Sequence, residues 1–111
     1  MTAWGGPGNG TVDDMPSDPW RSYLDTADHP EYPSGSTGLC AAHAPVARRF
    51  LGSDELGWSV DRVTGSSRIE PGTTPAEDPA LHRDTWTDVE RECGSSRLWG
   101  GVHFRSPAWS A

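Results

Sequence analysis

Hydrophobic periodicity is confined to short stretches of this 111-residue chain, and the clearest of them predicts a helix that begins around Ser34. Apolar residues there recur every three or four positions, the spacing that places them on one side of a helix. Pro45 lies inside the run and is expected to kink the helix or divide it in two. Gly52 is a natural end because glycine readily adopts the left-handed conformation. The apolar face consists of Leu39, His43, Val46 and Phe50, widened by Ala42, Ala47 and Leu51.

A second helix is predicted from near Pro79 to Cys93, with Gly94 ending it. Residues 58–63 alternate weakly between apolar and polar, which predicts a short strand or one arm of a hairpin. Residues 64–79 are rich in Gly, Ser, Thr and Pro and are expected to form a loop. One side of the second helix is marked by Trp86, Val89, Glu90 and Cys93.

Composition predicts an irregular lead-in over residues 1–19, rich in Gly, Pro and Asp, before one domain over residues 20–111. Only 33% of the residues are hydrophobic, so the core is expected to be small and to use the six tryptophans.

The net charge of −7 argues against binding to nucleic acid or to an anionic membrane surface. No apolar stretch approaches the roughly 20 residues that span a bilayer. Met1–Gly6 lacks the basic and apolar regions of a secretion signal, so the sequence assigns no localisation.

Two polar segments, residues 33–36 and residues 96–103, carry the chemistry that the sequence suggests. The first reads Pro-Ser-Gly-Ser and opens the predicted helix, where free backbone N–H groups and the helix dipole favour an anion. The second contains Arg97 and, six residues later, His103, with a double glycine between them. Arginine offers a fork of donors to a tetrahedral oxyanion, and histidine can ligate or attack such an ion or shuttle its proton. Together they predict a pocket for phosphate or a phosphate-like ion.

Residues 29–35, His-Pro-Glu-Tyr-Pro-Ser-Gly, and residues 95–104, Ser-Ser-Arg-Leu-Trp-Gly-Gly-Val-His-Phe, resemble two signature motifs of the vanadium-dependent haloperoxidases. That family shares its site with the type 2 phosphatidic acid phosphatases. Its patterns are Pro-Ser-Gly-His and Ser-Arg-x-x-x-Gly-x-His-x-x-x-Asp, and the resemblance extends from about Trp20 to Phe104. It implies a mainly α fold, a partial helical bundle over residues 20–111 with long irregular loops.

The resemblance also implies a role for each matching residue. His103 would hold vanadate or attack phosphorus, and Arg97 would neutralise the equatorial oxygens of the ion. Gly101 would leave room beside it. The implied cofactor is vanadate, with phosphate as substrate or analogue, and the implied small partners are peroxide and halide. The remaining oxyanion-binding residues would be Ser34 and Gly35.

Three departures from the family pattern weaken the expected site. Ser36 stands where the family has its acid–base histidine, and a hydroxyl does not exchange protons near neutral pH. Pro107 stands where the third motif has aspartate. The chain contains no lysine, so the Lys-x-x-x-x-x-x-Arg-Pro motif is absent. We therefore expect a truncated haloperoxidase-like protein that binds vanadate weakly and has little or no activity alone, unless an upstream chain completes the bundle.

Two other functions remain open at this stage. One is a phosphate monoester hydrolase of the same superfamily, and the other is a non-catalytic remnant or small interaction module. The two cysteines, Cys40 and Cys93, flank the motifs and are expected to be close together if both motifs meet at one anion. They form either one disulfide bond, which would suggest an exported ancestor, or two buried free thiols. Cys40 and His43 have the spacing of half a zinc site, a weaker interpretation.

Overall fold

The computed structural model describes residues 3–16 and 20–105, and the predicted departure at Pro107 lies outside them. Within these ranges the chain forms two helices and four strands. In chain order they are β1 (Ala3–Trp4), β2 (Thr11–Val12), α1 (Gly35–Leu51), β3 (Glu55–Asp61), β4 (Ala80–Thr85) and α2 (Trp86–Trp99). The short pair of β1 and β2 lies within the segment that composition predicts to be an irregular lead-in.

Helix α1 begins and ends at the residues that the sequence indicates. The Ser34 hydroxyl caps its N-terminus by accepting the Thr37 N–H, and Gly52 ends it in the left-handed conformation at φ 69°. The helix is continuous through Pro45, so of the two expected effects, a kink or a division in two, the division is wrong. A proline removes one N–H donor from the ladder, and the rest of the helix bridges that loss.

Strands β3 and β4 form an antiparallel hairpin with Asp61 opposite Ala80 and Glu55 opposite Thr85. The predicted start of the second helix at Pro79 is therefore wrong. Residues 80–85 alternate between exposed and half-buried side chains, the period of a strand rather than of a helix. The long connection between the strands, residues 62–79, contains no helix or strand, in agreement with the loop predicted for 64–79.

Helix α2 begins at a capping box that the helical periodicity did not reveal. The Thr85 hydroxyl accepts the Asp88 N–H, and the Asp88 carboxylate accepts the Thr85 N–H in return. The helix then runs through Gly94, which is buried, so the predicted end at Gly94 is wrong. Lacking a side chain, Gly94 is accommodated in this buried position, and the helix ends instead at Gly100.

Helices α1 and α2 pack against each other, and a disulfide bond joins Cys40 to Cys93 with their Cα atoms 6.4 Å apart. Arg48 reinforces the contact by donating to Thr87 and by pairing with Glu90 at 3.2 Å. Of the two cysteine states that the sequence leaves open, the structure has the bridge.

The prediction of a mainly α partial helical bundle is wrong, because the described residues form a small mixed α/β unit. Ala44 is the one buried hydrophobic residue among them. The apolar face predicted for α1 is open to solvent: Leu39, Val46 and Phe50 are 74%, 65% and 88% exposed. Two helices and a hairpin contain too few elements to cover that face, which periodicity alone cannot reveal.

Candidate functional site

The N-terminus of α1 presents backbone donors to open space. Ser34 is buried, and its Oγ accepts both the Thr37 N–H at 3.3 Å and the Thr37 hydroxyl at 2.9 Å. The N–H groups of Gly35 and Ser36 have no hydrogen-bond partner within residues 3–16 and 20–105. A Cβ added to Gly35 would meet nothing within 4 Å. Two backbone donors without a partner among the described residues, at the positive end of a helix and beside an uncrowded glycine, suit a small anion.

The last turn of α2 supplies a cation. The Nε of Arg97 is buried and has no hydrogen-bond acceptor in the described part of the chain. An unpaired buried donor is costly unless a ligand satisfies it, and an oxyanion is the natural acceptor for a guanidinium group. The residues present therefore fit an oxyanion at this point.

A tight turn follows α2 and carries the chain to His103. Gly101 has φ 70°, which side chains rarely allow, and its added Cβ would lie 3.4 Å from Trp20 and from Ser22. Gly100 is packed more closely, with its added Cβ 2.7 Å from Leu24 Cδ1. Gly101 is therefore favoured by its backbone conformation and Gly100 by its close packing against Leu24, whether or not they also make room for a ligand.

Three contacts join helix α1 and the residues just before it to helix α2 and the residues that follow it. The Cys40–Cys93 bridge links the helices, and Cys93 Sγ lies 3.5 Å from the Ser36 carbonyl oxygen. Beyond α2, the Glu31 carboxylate lies 3.2 Å from His103 Nδ1 and accepts the Phe104 N–H at 2.9 Å. Arg97 lies in the sequence between these two contacts. The segment 31–36 is thus attached to the chain on both sides of Arg97.

Each of two grooves is lined by one of the predicted site residues. The larger, about 680 Å³, lies between α1 and α2 and includes Ser34. The smaller, about 320 Å³, includes Gly101 and a cluster of tryptophans. Neither groove is lined by Arg97 or His103. These grooves therefore do not bring the candidate residues together in one cavity.

Residues of the zinc half-site predicted at Cys40 and His43 have other partners. Cys40 is in the disulfide bond and therefore is not a thiolate ligand. The His43 ring packs edge to face against Trp86, with ring centres 5.4 Å apart. Within the residues that the structure describes, no three His, Cys, Asp or Glu side chains are grouped to hold a metal ion.

The hairpin carries a chain of polar groups that sequence patterns did not reveal. Ser59 Oγ lies 2.5 Å from His82 Nδ1, and His82 Nε2 lies 2.7 Å from Asp84 Oδ1. The residue types are those of a hydrolase triad, but all three side chains are exposed and none lines either groove. Ser59 and His82 are register partners across the hairpin, so this network stabilises strand pairing.

The sequence motifs did not assign a role to Glu31, although it lies within the first of the two matching segments. Its contact with His103 joins residues 72 positions apart. The one signal in the sequence was that Glu31 lies two residues before Pro33, in the segment that has to lie near His103 if both motifs form one site. The described helices include none that is long and apolar enough to cross a membrane.

Comparisons with known proteins agree with the two motifs. The family model of the VCPO second helical-bundle domain matches residues 1–110. A holo-type bacterial vanadium-dependent chloroperoxidase is similar at 54% identity and TM-score 0.89. The match covers 95% of this chain and 22% of the chloroperoxidase chain. The apo-type structure is similar at 55% identity and TM-score 0.87, and the match covers 94% of this chain and 22% of the chloroperoxidase chain. The chain thus spans about a fifth of the length of these structures. No curated protein matches it.

Proposed function

This chain belongs to the family of the VCPO second helical-bundle domain, within the vanadium haloperoxidase superfamily, and on that premise we propose that it carries part of a vanadate site. The resemblance drawn from its two motifs is confirmed by this membership. The observation that carries the proposal is the buried Nε of Arg97, which lacks an acceptor among the described residues. An oxyanion between the N-terminus of α1 and the end of α2 would satisfy it.

Each residue has a distinct part in holding the ion. The N–H groups of Gly35 and Ser36 donate to its oxygens, and the Arg97 guanidinium balances their charge. Ser34 accepts two hydrogen bonds from Thr37, so its own proton is left to donate to the ion. A ring nitrogen of His103 would hold the metal. In the complete family, bound vanadate supplies the activation of peroxide that oxidises halide.

The 111 residues alone are proposed to bind the ion weakly and to have little or no peroxidase activity. Arg97 is the one cation that the motifs place at the site, and the chain has no lysine to share the charge. Ser36 donates a hydrogen bond but does not act as an acid or base near neutral pH. Loss of a general acid typically lowers a rate about 10²–10⁴-fold.

The exposed face of α1 is proposed to bind a helical partner that completes the site. Leu39, Val46 and Phe50 project from one side of the helix and remain uncovered. The matched relatives are several times longer than this chain, so a partner segment or chain has a precedent in their length. That partner would supply the further cations that an oxyanion site requires.

Thermal melts with and without millimolar orthovanadate test the anion site. A ligand present at ten times its Kd is expected to stabilise the native state by about 1.4 kcal/mol, which raises Tm by about 6 °C. His103→Ala should lose this increase, whereas His82→Ala, on the hairpin, should keep it. An anion-insensitive melt would favour the non-catalytic remnant or interaction module.

Activity assays separate the two enzymatic alternatives. With vanadate, peroxide and bromide, we expect halogenation near the uncatalysed level. Turnover that His103→Ala abolishes would contradict the expectation of low activity while supporting the haloperoxidase assignment. Release of phosphate from an aryl phosphate, lost in the same variant, would instead favour the phosphate monoester hydrolase.

A further inference from the structure

Glu31 contacts the end of the third motif with a single carboxylate oxygen. Its Oε1 lies 3.2 Å from His103 Nδ1 and accepts the Phe104 backbone N–H at 2.9 Å. The same atom therefore fixes both the imidazole ring and the main chain that follows it. A carboxylate is an unusually strong acceptor for such donors because it carries charge.

Burial makes this contact decisive for the orientation of the ring. The His103 side chain is only 6% exposed, whereas the Glu31 side chain is 39% exposed. A nearly buried imidazole has little solvent to bond with, so a protein acceptor selects which nitrogen carries the proton. A carboxylate at Nδ1 favours the Nδ1–H tautomer and leaves the lone pair on Nε2.

We propose that Glu31 is a positioning residue of His103, fixing the ring through its contact with Nδ1 and favouring the Nδ1–H tautomer. The inference rests on the proposed function for the part that concerns the ion. Carboxylates placed behind a metal-binding histidine fix its orientation and raise its basicity, and their removal typically costs about 10–100-fold in affinity.

The source of this carboxylate is a feature of this chain. The third motif of the family ends in an aspartate, but this sequence has Pro107 there, which has no carboxylate. Glu31 comes from the segment that precedes Ser34 and Gly35 instead. The oxyanion-binding N-terminus of α1 and the orientation of His103 are thereby joined through one short stretch, residues 31–35.

The test uses the full chain and two variants. Glu31→Ala removes the acceptor, and Glu31→Gln keeps a neutral acceptor if the alanine variant does not fold. Imidazole nitrogen chemical shifts at about pH 8, where ordinary histidines are neutral, report the tautomer of His103. Isothermal titration calorimetry with orthovanadate reports affinity. Glu77→Ala, in the exposed loop, is the matched control.

We expect the native chain to show the Nδ1–H tautomer and Glu31→Ala to lose it, with orthovanadate affinity falling about 10–100-fold. Glu31→Gln should keep the Nδ1–H tautomer of His103. The signal of the Nδ1 proton should move toward the position typical of a weaker hydrogen bond. An unchanged His103 signal in Glu31→Gln would overturn the proposal, as would a Glu31→Ala variant with native tautomer and affinity. If the native chain binds no orthovanadate but its tautomer depends on Glu31, the positioning role stands and the proposed vanadate site fails.

Discussion

Arg97 has a buried guanidinium nitrogen that no acceptor within the described ranges satisfies. Leaving such a donor unpaired costs about 1–3 kcal/mol. Arg97→Met keeps most of the side-chain length and removes the donor, so the anion-free protein is expected to retain its stability or gain up to about 1 kcal/mol. The increase in Tm with orthovanadate should disappear in the same variant. Paired thermal melts, with and without the anion, measure both effects.

Arg91→Met is the matched control for this change. Arg91 lies on the same helix, and it is exposed and lines the larger groove. Its substitution should leave both the melt and the response to orthovanadate unchanged. A response that survives in Arg97→Met would show that the anion binds elsewhere. The larger groove, which Arg48, Arg91 and Arg105 line, would be the first place to look.

Glu70 makes the folded state sensitive to acid. Its carboxylate accepts hydrogen bonds from Thr74, the Gly8 N–H and Tyr23. The Thr74 bond, followed by the Gly8 bond, lowers the pKa of Glu70 below its ordinary value of 4.5, against an opposing effect of burial. Because the folded-state pKa is the lower one, this stabilisation is present above pH 4.5 and is lost as pH falls through the folded-state pKa.

Glu70→Gln is therefore expected to flatten the dependence of Tm on pH between roughly pH 5 and pH 3. Glu77→Gln, in the same loop, should leave that dependence as it is in the native protein. Some slope should persist in both variants, since hydrogen bonds from Thr64 also lower the pKa of Asp78. Equal slopes in Glu70→Gln and the native protein would show that these bonds do not contribute in solution.

Helix α1 has one side in the core and another in solvent. We expect glutamine at Leu39, Val46 and Phe50 together to change the free energy of unfolding by no more than about 0.5 kcal/mol per site, because exposed side chains lose little contact. The triple variant should self-associate less than the native chain at high concentration, as measured by analytical ultracentrifugation. The contrasting change, Ala44→Leu, overfills a position that is 1% exposed and should cost about 1–3 kcal/mol.

A loss of several kcal/mol in the triple variant would mean that the apolar face is covered in solution, contrary to the structure. Unchanged self-association would mean that another surface joins the copies. Either result would remove the support that this face gives to a helical partner.

The elements differ in how well local chemistry defines them. Ser34 and Gly52 could be predicted as the ends of α1 because a cap and a left-handed glycine act within one turn. The strand at 80–85 was missed because its alternation is short and depends on a partner strand across a long loop. The motifs indicated Arg97 and His103 as candidates, whereas Glu31 required a contact across 72 positions that no local pattern encodes.

As a whole, the molecule exposes more surface than its mass predicts. Its accessible area is 8165 Å², whereas a compact monomer of this size exposes about 6,000 Å². The radius of gyration, 16.2 Å, also exceeds the value of about 13 Å for a compact domain of this length. The folded chain therefore buries less surface than a compact domain of its mass, and the covalent link between α1 and α2 gains importance.

The Cys40–Cys93 bridge closes a loop with a sequence separation of 53 residues. By the loss of chain entropy in the unfolded state, a loop of that length stabilises the fold by about 4 kcal/mol. That is a large share of the roughly 5–15 kcal/mol available to an ordinary domain.

Replacing both cysteines with serine is expected to lower Tm by at least about 15 °C or to abolish the cooperative transition. The response to orthovanadate should vanish too, because the bridge holds the α1 segment with Ser36 beside the helix that carries Arg97. Adding a reductant should reproduce this loss in the native protein and have no effect on the double variant. A reduced native chain that melts within a few degrees of the oxidised one would show that noncovalent packing suffices to hold the two helices together.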